Sequence, residues 1–365
     1  MKAIGRNSGI ELLRIVSMLL IVMHHYSVHG AFDYRSSVSA ADNIIIQLLS
    51  SGGKVGVNCF VLITGYYMVR SSFNAIKFFK IVNDVFIYSA SSFLIFVFFT
   101  PLEFSAKLAL KSFFPVLFST YWFATTYLIL YLISPFLNKF IEGLDQSSHC
   151  KLILLLISMW SVIPTFTTAK LGMSHLGWFL TLYVMASYIR IYLNSSFPKC
   201  SFNIFIGFSS YLVVLFLIVL INFIDVSRLS VMLFVSNVTK MNNFFVLICS
   251  IFLFLGFKNI NVRLGVTLNA VAASSFGVYL IHDNIFVRTF LWNELFNNDT
   301  YHGFLLVLHA LFSILSTYII CTFLDYLRIK LFNRPILAYV DLKVKLLDRL
   351  EYFAKRKLRK RGMSL

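Results

Sequence analysis

Residues 9–30 read GIELLRIVSMLLIVMHHYSVHG. The stretch is long and apolar enough to cross a bilayer as a helix, yet it carries Arg14 and His25. A helix turns about 100° per residue, so eleven steps return the two side chains to within about 20° of each other, roughly 16 Å apart along the axis. Ionisable residues on one stripe of a membrane helix are costly unless they face protein or water, and they mark a candidate functional site. Glu11 lies three residues before Arg14, within helical pairing reach. A paired guanidinium is a planar fork suited to phosphate, and a histidine is suited to proton transfer near neutral pH. On sequence alone, a snorkelling arginine with a hydrogen-bonded core histidine stays open.

The rest of the chain repeats this apolar texture. Its 365 residues are 59% hydrophobic and 13% charged, about half the charged share of a soluble domain. The mean hydropathy is +0.81. Apolar blocks fall roughly at 9–28, 44–68, 79–100, 118–138, 151–169, 176–193, 203–224, 243–257, 266–290 and 303–331. The expected fold is therefore an all-α polytopic transmembrane bundle of about ten spans. Alternating ten-residue strands, the mark of a membrane β-barrel, are missing from the pattern. The segment 104–120 reads as amphipathic and interfacial.

The net charge of +17 is concentrated between Arg328 and Arg361. Such a tail fits the positive-inside rule, so no nucleic-acid partner is expected. With the N-terminus inside, inside connections hold Lys2, Arg6, Arg70, Lys77, Lys80, Lys139, Lys151, Arg190, Lys199, Lys258 and Arg263. Outside connections hold Arg35, Lys107, Lys111, Lys170, Arg228, Lys240 and Arg288. Eleven against seven, before the tail is counted, places both termini in the cytoplasm. The domain reading is a transmembrane unit over 1–335 and a basic amphipathic cytoplasmic tail over 336–365. The first segment lacks a small-residue cleavage site and is expected to be retained. Five dispersed cysteines without a CxxC pair suggest neither a disulfide framework nor a metal cluster.

Further titratable and aromatic residues recur near the outer ends of the spans. His24 adjoins His25, but points about 80° off the Arg14 stripe. The second span, SGGKVGVNCFVLITGYYMVR, offers glycines for close helix packing and Lys54, read as snorkelling to the outer interface. Trp122 and Tyr121 suit an aromatic belt, and His175 with Trp178 opens the sixth span. His282 and Asp283 follow in SSFGVYLIHDNIFVR. Their shared depth with His25 suggests one enclosed polar site, with a histidine as general acid or base. No HExxH or paired-carboxylate spacing supports a metal there.

Taken in order, these segments resemble the acyltransferase-3 family, the multi-span O-acyltransferases of bacterial surface sugars. The resemblance rests on Glu11-x-x-Arg14 followed by His25; on Gly56-Val57 through Phe60 and Thr64-Gly65-Tyr66, with Thr in place of the usual Ser; on Trp122-Phe123 with Tyr131 and Pro135; and on Phe276 through His282. It implies a bacterial inner-membrane O-acetyltransferase that uses acetyl-CoA, or another acyl-CoA, as cytoplasmic donor. The implied acceptor is a hydroxyl of a lipid-linked or polymeric glycan such as O-antigen or capsule. Arg14 would meet the coenzyme, His25 would assist transfer, and His282, Trp122, Tyr66 and His24 would face substrate. The alternative is a transporter or flippase of a polysaccharide intermediate, against which the lack of internal repeats and of broken span pairs argues.

Overall fold

A computed structural model describes residues 7–32, 39–101, 103–167, 169, 171–193, 200–224, 228–260 and 265–360. Among them the chain is all-α, without a strand. The helices are α1 (Ser8–Val28), α2 (Ala40–Ser50), α3 (Gly53–Met68), α4 (Ala75–Phe99), α5 (Ala106–Phe113), α6 (Trp122–Glu142), α7 (Gln146–Phe166, with a π turn at Ser158–Val162), α8 (His175–Tyr192), α9 (Cys200–Asn222), α10 (Arg228–Val238), α11 (Phe244–Lys258), α12 (Val266–His282), α13 (Ile285–Thr289) and α14 (Gly303–Lys360). Their starts follow from side-chain caps: Asn7, Ser39, Asn74, Asp145, Ser174, Asn243 and Asn284 each accept a hydrogen bond from a backbone N–H of the first turn.

Among the described residues seven stretches are long and apolar enough to cross a membrane, or eight when the bent pair Val266–His282 and Ile285–Thr300, angled by 76°, is counted as one span. The chain is thus a multi-pass membrane protein. The second expected span is a broken one, α2 and α3, interrupted at Ser51 and Gly52, so with the bent pair two spans are interrupted where the sequence reading expected none. The other two expected spans are helices that differ from a simple apolar crossing. α11 has only 15 residues. α8 is more polar because it runs through the middle of the protein, with Trp178, Phe179, Leu182 and Tyr183 fully buried. Large apolar side chains such as Phe98, Phe99, Phe136, Phe216 and Phe304 face outward, which hydrocarbon tolerates and water does not.

Close packing depends on small residues. Gly56 of α3 lies against the Ser17 carbonyl of α1, and Gly256 of α11 against Ile204 of α9. A side chain at either place would push the helices apart, as expected where backbones approach in lipid. α5 is amphipathic and packs against α4: Phe113 reaches both Phe93 and Phe86, and Phe104, just before the helix, also reaches Phe93.

A buried ion network joins α4 to α14. Arg328 donates to Asp84 at 2.7 Å and to Asp325 at 2.9 Å, and Tyr88 donates to Asp325 at 2.5 Å. Gly277 of α12 leaves the room that the Asp325 carboxylate occupies. The helix continues through Pro335 without a break to Lys360, so the 335/336 boundary lies inside one element; residues 361–365 of the tail lie outside the described set.

Candidate active site

The stripe expected on α1 faces protein. α1 packs on α3, α12, α2, α14 and α11, and its polar residues open into a cavity of about 250 Å³. Arg14 lines one end of this cavity. His24, His25, Lys54 and Trp122 line it farther along, and Thr64, Tyr127, Ser275 and Tyr279 contribute polar atoms between apolar walls. Arg14 and His25 are therefore two ends of one space, roughly 16 Å apart along α1.

At the Arg14 end, the guanidinium stands 3.9 Å from Glu11, and its Nε is buried with no hydrogen-bond partner among the described residues. A buried donor left unmatched is costly, and an anionic oxygen placed there would satisfy it. Tyr66, one of the residues singled out in the sequence, does not line the cavity. Its hydroxyl accepts a hydrogen bond from Arg190 at 2.8 Å, and both Arg190 and Lys258 stand over its ring, at 4.6 and 5.5 Å.

At the other end, the histidines form an ordered chain. His282 is fully buried, and its Nδ1 lies 2.6 Å from the Val278 carbonyl, four residues earlier on the same helix. A carbonyl only accepts, so this nitrogen carries the proton, and in the neutral ring Nε2 is then an acceptor. His25 Nδ1 lies 2.8 Å from that Nε2 and donates to it. His25 is thereby held in the tautomer whose Nε2 keeps a lone pair. Asp283 supports the pair: its carboxylate is 3.7 Å from His25 Nδ1, 3.3 Å from His29 Nε2 and 3.6 Å from Arg288. The arrangement has the parts of a general base: a lone pair in a cavity, a neighbour that fixes the tautomer, and a carboxylate placed to stabilise the protonated ring.

His24 is turned by its neighbours. Its Nδ1 is 2.6 Å from the Ser50 carbonyl at the α2–α3 break, and Gly53 packs directly on its ring. Trp122 meets the ring of His175 at 4.5 Å, while Lys54 lies 5.7 Å from the Trp122 centroid. The structure thus brings together His25, His282, Trp122, His175 and His24, and places Arg14 with Glu11 at the far end.

Three participants were not singled out as site residues in the sequence. His29 and Arg288 meet at Asp283, one turn beyond His25 and beyond the bend after α12. A one-turn spacing from His25 was the available signal for His29; nothing local marks Arg288. Lys54 is a cavity residue rather than a purely interfacial one. His25, His29 and Asp283 present ligand-type atoms within 4.8 Å of one another. The Arg288 guanidinium already shares that carboxylate, and the Lys54 ammonium lines the adjoining cavity; two fixed cations so placed oppose a further one.

No curated protein and no solved structure matches the chain. The sequence model of one family does, that of an acyltransferase domain, over residues 7–326. That range takes in the cavity and the four-residue cluster of His25, His29, His282 and Asp283, and it covers nearly the whole chain, so this multi-pass membrane protein belongs to that acyltransferase family.

Proposed function

We propose that the protein transfers an acyl group from acyl-CoA, acetyl-CoA in the simplest case, to a hydroxyl of a cell-surface polysaccharide or lipid-linked sugar such as O-antigen or capsule, in the bacterial inner membrane. The observation that carries the reading is the Val278–His282–His25 chain, which leaves one unshared imidazole nitrogen at the cavity end opposite an arginine with an unmatched buried donor.

The donor enters from the Arg14 end. Arg14, held by Glu11, contacts phosphate oxygens, and the extended pantetheine arm lies along the apolar middle of the cavity so that the thioester reaches His25. The acceptor hydroxyl gives its proton to His25 Nε2 as its oxygen attacks the thioester carbonyl. The tetrahedral intermediate collapses, the carbon–sulfur bond breaks, and the coenzyme thiolate takes the proton back from His25. Asp283 offsets the charge on the imidazolium between these two steps. Trp122 and His24 shape the acceptor side, His282 acts there only through His25 and does not face substrate, and both termini lie in the cytoplasm, where the donor is made.

The test is transfer of labelled acetyl from acetyl-CoA to a glycan acceptor by the full chain in lipid nanodiscs. His25→Ala is expected to lose about 10²–10⁴-fold in rate while inserting normally. Full activity in His25→Ala, with loss in His24→Ala instead, would refute the assignment of the base.

A further inference from the structure

Lys54 is a cation at the His25 end of the cavity that makes no ion pair among the described residues. Arg288 is matched by Asp283, which His25 and His29 also share. Among the described residues Lys54 has no carboxylate within ion-pair distance and no hydrogen-bond partner; its ammonium lies 5.7 Å from the Trp122 ring centroid, a contact available to any nearby cation. It nonetheless lines the same cavity as His25. None of the cavity's lining residues is an aspartate or a glutamate. A cation at membrane depth without an ion pair is costly to maintain, and the Asp283 charge reaches Lys54 only from beyond ion-pair distance.

The donor does not account for it. On the reading above, the charged groups of acyl-CoA remain at the Arg14 end, and what reaches His25 is a neutral thioester. The matching negative charge then has to arrive with the second substrate. The Trp122 ring next to Lys54 offers a flat apolar surface on which the C–H face of a pyranose can pack, and His25 stands at the same end to take the proton of a hydroxyl.

We propose that Lys54 is an anion-binding residue of the acceptor site, and that the hydroxyl acylated beside His25 belongs to a sugar bearing a carboxylate or a phosphate. The proposal rests on the acyl-transfer reading, and it narrows the substrate class to acidic glycans or sugar phosphates. Lys54 acts on binding and selection of the acceptor, whereas His25 acts on the reacting hydroxyl.

The experiment uses the full chain in nanodiscs of neutral lipid. The probes are the methyl uronides of the gluco, galacto and manno series, their neutral methyl glycosides, and the corresponding sugar 1-phosphates. Acetyl transfer is followed as kcat/KM, and sugar binding by calorimetry. The wild type is expected to favour at least one acidic sugar over its neutral counterpart by tenfold or more, about 1.4 kcal/mol. The uronide and phosphate arms show which anion is meant. Lys54→Met should bring that ratio close to one through KM, and Lys54→Arg should keep it. Because the readout is a ratio within one preparation, partial loss of folded protein does not imitate it. A wild type that does not discriminate would overturn the proposal. So would a Lys54→Met variant that slows acidic and neutral sugars in equal proportion, since Lys54 would then serve the developing oxyanion instead. Charge-dependent binding that Lys54→Met abolishes, without acetyl transfer to any sugar, would refute the reaction and uphold the anion site.

Discussion

Replacing His282 separates a positioning role from a structural one. His282 accepts the Nδ1 proton of His25 at 2.8 Å, and it touches neither end of the cavity. In His282→Ala, that buried donor loses its partner, which costs about 1–3 kcal/mol. If the whole cost falls on the active tautomer, the rate drops by about five- to 150-fold at 1.4 kcal/mol per factor of ten. The lower part of the range is expected, because the Asp283 carboxylate is 3.7 Å from the same nitrogen and needs only a small shift to accept from it. The loss should appear in kcat rather than in the KM of either substrate. His282→Gln places a carbonyl oxygen within reach of Nδ1 and should recover most of the rate. In a His25→Ala background, His282→Ala should add nothing, because its effect acts through the missing ring. The assay is labelled acetyl transfer by protein whose folded fraction has been measured by size exclusion. Wild-type rates in His282→Ala, or an equal further loss in the His25→Ala background, would refute the histidine chain as the device that prepares the base.

Arg14→Lys keeps the charge but loses the planar fork and the orphaned Nε, so it should raise the KM for acetyl-CoA by about tenfold or more; unchanged coenzyme binding in both Arg14→Lys and Arg14→Ala would remove Arg14 from the donor site. Arg328→Met leaves Asp84 and Asp325 buried without their partner and should destabilise the protein by about 3–5 kcal/mol, read as a lowered unfolding temperature in detergent, with Asp84→Asn/Arg328→Met/Asp325→Asn restoring part of the loss. Both termini inside predicts that, with Cys150 and Cys200 replaced by Ser, Ser37→Cys reacts with an impermeant thiol reagent in intact cells and Lys345→Cys only after permeabilisation; labelling of Lys345→Cys from outside would reverse the direction of donor entry.

The helices were legible because apolar length is a local property. Each expected span coincides with a helix, and the bend after His282 and the break at Ser51 and Gly52 change the course of a span without removing it. The Arg14–His25 stripe was legible for the same reason: it needs only the helical period. What periodicity does not carry is which stripe meets which. His25 and His282 are 257 positions apart, and a shared depth brings two residues to one level without bringing them to one hydrogen bond. Tyr66 shows the converse. Its motif drew attention to it, but the face of α3 that carries Tyr66 turns toward Arg190 and Lys258, which the sequence offered only as positive-inside markers. Asp84 and Arg328 passed without notice, since one acid within an apolar run and one base at the head of a basic tail look like boundary charges until α4 and α14 are side by side.

Lys54 joins these cases. A lysine near the end of a span snorkels when lipid surrounds it, and in one dimension that is the natural reading. α3 instead turns Lys54 into the space between α1 and α6, where interfacial water is replaced by tryptophan and histidine. The same four-carbon stem that would carry an ammonium out to the interface here carries it over the Trp122 ring. The nearby Asp283 carboxylate is already divided among His25, His29 and Arg288. An ammonium so placed either draws water into the cavity or meets an anion brought by substrate. Water in the cavity would compete with the acceptor hydroxyl for the thioester, so a transferase at this site is better served by the anion.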